Sequence, residues 1–210
     1  MKKITLVASL ASLIFFALSA QHALADSSKF YLGANIGNTH FSGDDAVDNS
    51  VFAPNQKFKA SDSTYGVHLG FQFNDWFATE LGYTYFGEAI DRFALRSDIV
   101  FIVQPNDTQS ISAKGASLSG VFSYHFNSDL SVFGVLGITA MDYQNTLSGG
   151  YSPISGSLIT KYRFSDHGLL YGLGAKYALT DSFNLRADLR RNDVGDFALD
   201  TASVGIEYSF

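Results

Sequence analysis

The chain has 210 residues, 46% apolar and 16% charged, with 19 glycines, 3 prolines and no cysteine, which excludes a disulfide-stapled miniprotein and any cysteine-liganded zinc site. Aromatic residues reach 15% while the mean hydropathy is only +0.07, too polar for a bundle of membrane helices. The formal charge is −6 and no run of lysine or arginine follows the first few residues, which argues against a nucleic-acid partner.

Residues 1–25 read as a secretory signal peptide: Lys2 and Lys3 form a positive n-region, Ile4 to Phe16 is largely apolar, and Ala23-Leu24-Ala25 is an A-x-A cleavage site. The mature domain is then expected to span 26–210, with 12 basic against 20 acidic residues and a net charge of −8. Nothing after residue 25 approaches the ~18 consecutive apolar residues of a membrane-spanning helix. A membrane location for the mature chain therefore requires a closed barrel, the other structure that satisfies every backbone group in lipid.

From Ser28 onward apolar and small or polar residues alternate with period two. The pattern predicts strands near 30–41, 63–73, 76–87, 111–126, 130–144, 167–179, 182–192 and 199–210. The hairpin from Tyr65 to Phe86 is the clearest: Tyr65, Val67, Leu69, Phe71 and Phe73 share one face, Asn74-Asp75 signals a tight turn, and Phe77, Thr79, Leu81, Tyr83 and Tyr85 resume the apolar parity. Short turns at Asn74-Asp75, Asn127-Ser128-Asp129 and Thr180-Asp181 alternate with long polar connections at 42–62, 88–110 and 145–166. Such segregation fits an eight-stranded antiparallel up-and-down transmembrane β-barrel, with short turns at the periplasmic end and long loops outside.

With the apolar parity set outward, the charges Glu80, Lys176, Arg186, Asp188, Arg190 and Glu207 all fall on the inward face. A soluble β-sandwich would show the same alternation with its faces inverted, so the strand ends decide. Phe30, Phe73, Phe77, Phe126, Phe183, Tyr208 and Phe210 put outward aromatics at the short-turn ends, and Tyr65, Tyr83 and Tyr85 lie toward the other, as in the girdles of a membrane barrel. A lipid-facing arginine at mid-depth costs ~2–4 kcal/mol, which gives the inward bias a cause. Lys114 and Asp142 point outward by parity, toward the long-loop ends where the cost falls to ~0–1 kcal/mol. The last strand alternates to the final residue, and its outward set Val204, Ile206, Tyr208 and Phe210 resembles the C-terminal signal that the barrel assembly machinery reads.

Phe30 to Gly37, Gly66 to Gly87, Ser131 to Gly137, Gly172 to Leu189 and Ser203 to Phe210 together resemble the transmembrane domain of the outer membrane protein A family and related small eight-stranded barrels. The resemblance implies a salt-bridged plug in the lumen, with Glu80 and Arg186 at the matching positions and Asp188 as a further acid. Lys176 stands where the family has an inward acid, and Val121 where it has an inward lysine, so partner switching in the plug is not expected. Longer members carry a C-terminal peptidoglycan-binding domain, whereas this sequence ends at Phe210, so a wall-tethering role is not expected either.

Eight strands enclose a lumen that side chains fill. Inward Phe133, Val135, Met141 and Leu170 dry it further, and inward Gly33, Gly37, Gly70, Gly82, Gly172, Gly174 and Gly205 leave room for the long charged chains. Gly172-Leu173-Gly174 lacks the strand-to-helix context of a nucleotide loop. His40 and Ser42 share a strand face near the outer rim, with Asp44 and Asp45 following, and would form the one conceivable hydrolytic pair. His68 and Gln72 face inward as hydrogen bonders, and His125 and His167 stand apart, so no metal cluster and no cofactor are expected. Ile99 to Val103 is an apolar run inside a polar connection, read as an extended hairpin above the membrane. Asp44, Asp45, Asp48, Asp91 and Asp98 read as a solvated acidic surface.

These features predict a non-enzymatic, monomeric outer-membrane barrel. Its expected partners are membrane lipid, lipopolysaccharide, the assembly machinery and a surface ligand of the long loops. Envelope support and adhesion are what the resemblance implies. The alternatives are a small-solute channel and, third, a lipid-modifying enzyme.

Overall fold

The computed structural model describes residues 29–43, 58–92, 108–152, 156–195 and 197–210. They form eight strands: β1 (Phe30–Gly43), β2 (Phe58–Asn74), β3 (Phe77–Arg92), β4 (Thr108–His125), β5 (Leu130–Ser152), β6 (Gly156–Ala178), β7 (Phe183–Val194) and β8 (Phe197–Ser209). Each strand pairs antiparallel with its chain neighbours, and β8 pairs with β1 to close the barrel. Closure gives every strand a partner on both sides within the barrel wall. The Phe210 amide reinforces the seam by donating to the Phe30 carbonyl at 3.1 Å.

The three short turns share one device. Asn74 Oδ1 accepts from the amides of Trp76 and Phe77, Asn127 Oδ1 from Asp129 and Leu130, and Thr180 Oγ1 from Ser182 and Phe183. A short polar side chain thereby satisfies the amides that the turn releases from the ladder. At the opposite end, the connection from β7 to β8 passes through Gly195 at φ +57°, a left-handed conformation that glycine adopts without a Cβ penalty.

The strands reach further than the alternation suggested. β5 and β6 are 23 residues each and continue to Ser152 and Gly156, so most of 145–166, expected as a long loop, is a β-hairpin. The ends of 42–62 and 88–110 likewise belong to strands. Because β7 pairs with β6 only as far as Val194 opposite Gly168, the β5–β6 hairpin rises above that side of the rim. Residues 44–57 and 93–107, with the expected leader at 1–25, the Ile99 to Val103 run and Asp44, Asp45, Asp48 and Asp98, lie outside the described residues, as does the side chain of Asp91.

Outward side chains form a continuous apolar band. On β4 it runs from Tyr124 through Phe122 and Leu118 to Ala116, on β5 from Leu130 through Leu136 and Ile138 to Ala140, and on β6 from Tyr177 through Leu173 to Leu169. Those runs match the ~9–11 residues that a tilted strand needs to cross hydrocarbon. The short-turn edge carries a chain of touching rings: Phe30, Phe71, Phe73, Phe77 and Phe122, with Trp76 beside them, and separately Phe183, Tyr208 and Phe210.

Candidate functional site

The buried chemistry lies in the lumen. Arg186 on β7 is 1% exposed and is surrounded by carboxylates from three strands. Its Nε and Nη2 grip Asp188 in a fork at 2.9 and 3.0 Å, and its Nη1 donates to both Glu80 on β3 and Glu207 on β8. Arg190 adds a second cation, 3.0 Å from Asp188 and 3.3 Å from Glu80. Lys176 on β6 adds the third, 2.8 Å from Glu207. All six inward charges read from parity thus meet in one cluster of three cations and three carboxylates. An uncompensated buried charge would be strongly destabilising, and here each has an opposite partner.

Rings complete the setting. Phe133 lies under Arg186, with the guanidinium 4.4 Å from the ring centroid, and Lys176 sits 4.5 Å from the centroid of Tyr31. The Tyr31 hydroxyl donates to Glu80 at 2.9 Å. A Cβ at Gly70 would fall within the Tyr31 ring, one at Gly174 against the Phe133 ring and one at Gly33 against His68. Gly70 and Gly174 thus admit the rings that flank the charges, while Gly33 and Gly172 border the side chains of Glu207 and Arg190, the role expected of them.

His68, Glu80 and Glu207 present ligand atoms that all lie within 4.8 Å of one another, a set able to hold a metal. Arg186 Nη1 occupies their common neighbourhood: it reaches both carboxylates and lies 3.2 Å from His68 Nε2. A guanidinium therefore fills the place a cation would take.

The charge cluster is one of two seals. Beyond it lies a cavity of about 30 Å³ lined by Ser117, Thr139, Asn192 and Ser203 among others, room for about one water. Above that, Phe41, Phe86, Ile111, Met141, Tyr143, Val194 and Leu199 pack as an apolar plug toward the long-loop end. Below the charges a polar vestibule of about 640 Å³, bounded by Tyr31, Lys176, Glu207 and the turn residues Asp75 and Asp129, reaches the short-turn end.

Sequence reasoning missed an outward charge group. Arg191 shares the parity of Leu185, Ala187 and Leu189, and binds Asp193 at 2.8 Å and Asp200 at 3.2 Å, while Tyr171 donates to Asp193 at 2.9 Å. Burial pushes the Asp193 carboxyl up, but the hydrogen bonds from Arg191 and Tyr171 outweigh it and leave the group below the usual aspartate range. Lys114 and Asp142 stand opposite each other on β4 and β5, facing outward.

The conceivable His40–Ser42 pair does not form. His40 Nδ1 lies 2.9 Å from Ser61 Oγ on the neighbouring strand, and Ser42 donates to the Ala198 carbonyl. Adjacent strands bring cross-strand neighbours closer than residues two apart along one strand. Val204 and Ile206 are exposed outward, and Tyr208 and Phe210 touch at 5.2 Å.

Residues 8–210 match the family model described as outer membrane protein beta-barrel domain. Outer membrane protein A of Serratia marcescens is 28% identical over 227 aligned positions that cover 100% of this chain and 56% of that relative, so the chain spans little more than half of its length. Among solved structures, OprG of Pseudomonas aeruginosa aligns with a TM-score of 0.55 at 15% identity over 88% of this chain and 97% of its own. The Neisserial surface protein A aligns at 0.53 and 17% identity over 86% and 97%. Ail of Yersinia pestis, solved with the heparin analogue sucrose octasulfate, aligns at 0.50 and 17% over 87% and 99%. These last three likenesses are of fold.

Proposed function

Because the chain belongs to the outer membrane protein β-barrel family, we propose that it is a non-enzymatic barrel that supports the envelope and presents its long connections outward for adhesion or partner contact. It is a protein of the outer membrane, and the family places the barrel in lipid as its parity requires. The observation that carries the reading is the double seal. Among the described residues the lumen is filled by a neutral charge cluster and then by an apolar plug, which argues against passage of solutes and leaves the outer rim as the accessible chemistry.

In this reading, the leader is removed after Ala25, the outward set Val204, Ile206, Tyr208 and Phe210 directs assembly, and the folded chain is a monomer surrounded by membrane lipid and lipopolysaccharide. The lumen charges Glu80, Lys176, Arg186, Asp188, Arg190 and Glu207 then hold the strands together rather than conduct. Planar-bilayer recording separates this reading from the channel alternative: the purified barrel should give no stable discrete openings, and stable openings would overturn it. Replacing residues 93–107 by a short Gly-Ser linker should abolish attachment of expressing cells to a host-cell layer while leaving the barrel's heat-modifiable gel shift intact.

A further inference from the structure

Above the apolar band, one sector of the outward surface is cationic. On β4 the band ends at Ala116 and the next outward residue is Lys114; on β5 it ends at Ala140 and Asp142 follows; on β6 it ends at Leu169, and His167, Ser165, Arg163 and Lys161 continue outward along the raised hairpin. The register places Lys114 opposite Asp142 and Asp142 opposite Ser165, then Gln144 opposite Arg163 and Thr146 opposite Lys161. Lys114 and Lys161 are therefore two strands and four residues apart, about 10 Å across the sheet and about 13 Å along it, with Arg163 between them in height.

The sector's acid does not cancel its cations. Asp142 accepts from Ser165 Oγ at 2.6 Å, and Arg163 donates to the neutral amide of Gln144 at 3.3 Å. Among the described residues no carboxylate forms an ion pair with Lys114, Lys161 or Arg163, whereas Arg191, the first outward residue above Leu189 on β7, is held by two. The asymmetry matters because exposed cations beside a leaflet of anionic headgroups each gain ~1 kcal/mol of attraction, which a local carboxylate would remove.

We propose that this face, Lys114, Arg163 and Lys161 on the outward side of β4 to β6, is a docking surface for the phosphorylated headgroup of a glycolipid of the outer leaflet. It rests on the outer-membrane reading, and two features select that occupant. The face continues upward from the lipid-contacting band without a break, so whatever meets it is anchored in the same leaflet. Among the described residues its charge is net positive, three cations against Asp142, on a chain whose net charge is −6, so attraction of an anion is local to this sector. The raised hairpin presents Arg163 and Lys161 on a paired two-stranded ladder, which spares part of the loop-ordering cost that an unpaired connection would add to binding.

The test uses the full chain folded into three kinds of vesicle: phosphatidylcholine alone, phosphatidylcholine with a diphosphoryl lipid A, and phosphatidylcholine with the dephosphorylated glycolipid. The temperature at which the folded gel band disappears is measured in each. The wild type should gain stability with the diphosphoryl form alone, and the gain should vanish at high salt. The triple variant Lys114→Gln/Lys161→Gln/Arg163→Gln should keep the wild-type midpoint in phosphatidylcholine alone. It should also need roughly a hundredfold more diphosphoryl glycolipid for half the gain, since three cations each attract by ~1 kcal/mol, whereas Lys114→Arg/Lys161→Arg should behave as wild type. Equal gains for the wild type and the triple variant, or an equal gain from the dephosphorylated glycolipid, would overturn the docking surface. Millimolar inorganic phosphate should give no gain; a gain from it alone would reassign the face to a free anion. A triple variant that loses its midpoint in phosphatidylcholine alone would count against the proposal as well, since it would make the cations part of the barrel's own stability.

Discussion

Tyr31 and Glu80 stand 49 residues apart in the chain, yet the tyrosine hydroxyl donates to the carboxylate at 2.9 Å across the lumen. The contact depends on Gly70, because any Cβ there would fall inside the Tyr31 ring. Gly70→Val should therefore expel the ring, break its bond to Glu80 and uncover Lys176, costing about 1–3 kcal/mol as overpacking commonly does. Unfolding in urea from vesicles measures it. Combining Gly70→Val with Tyr31→Ala should regain part of the loss, because space removed on one strand is returned on its neighbour.

Arg186 is the partner common to Glu80, Asp188 and Glu207. Arg186→Met should lower unfolding stability by about 3–5 kcal/mol, the usual cost of leaving buried carboxylates short of a cation. The loss comes chiefly from the stranded acids, so adding Glu80→Gln should recover part of it, and a double-mutant cycle reads the coupling. Unfolding of Arg186→Met at the wild-type urea concentration would show that Arg190 and Lys176 suffice.

Two seals in series predict a particular pattern of conductance. Removing the charge cluster with Glu80→Ala/Arg186→Ala/Glu207→Ala should leave the barrel closed, because Phe41, Met141 and Leu199 still fill the lumen above it. Adding Phe41→Ala and Met141→Ala should produce discrete openings in a planar bilayer. Openings from the first variant alone would make the apolar plug permeable.

At the outer rim, Arg191 lies between Asp193 and Asp200 with its side chain 42% exposed. Solvent screening limits such a pair, so Arg191→Gln should change stability by no more than ~1 kcal/mol. The pH dependence has a definite sign. The Asp193 carboxyl is depressed in the folded protein, so its contribution is complete above the unfolded value of ~3.9 and is lost as pH falls below it. Between pH 5 and 8 the wild type and Asp193→Asn should therefore differ by a constant amount, and the difference should shrink only on further acidification.

What the sequence disclosed follows from where the physics imposes a period. Glu80, Arg186 and Glu207 were legible because lipid on one side and a packed lumen on the other force alternation, and a charge on the wrong parity would be expensive. Above the membrane neither face is constrained, so Thr146, Ser148 and Arg163 to Asp166 read as loop although they are strand. Tyr31 and His68 carry no parity signal that separates a ring buttressing a charge from an ordinary lumen residue. Their part in the cluster required the register of β1 and β2. Arg191 is masked by its neighbour: of two consecutive arginines one must face each side, and only Arg190 fits the inward parity of the charges.

The C-terminal residue has two roles that experiment can separate. The Phe210 amide donates to the Phe30 carbonyl at the closing seam, and its ring packs edge-on against Tyr208, which in turn lies 5.0 Å from Phe183. Phe210→Ala retains the amide and removes only the ring. If the outward aromatic serves recognition by the assembly machinery, the purified variant should refold in phosphatidylcholine vesicles with a midpoint near that of the wild type, while the amount reaching the outer membrane of living cells drops several-fold. The ring's share of the aromatic edge is small because its neighbours Tyr208 and Phe183 still contact each other, so a comparable loss in both measurements would assign Phe210 to the stability of the barrel and remove it from the assembly signal.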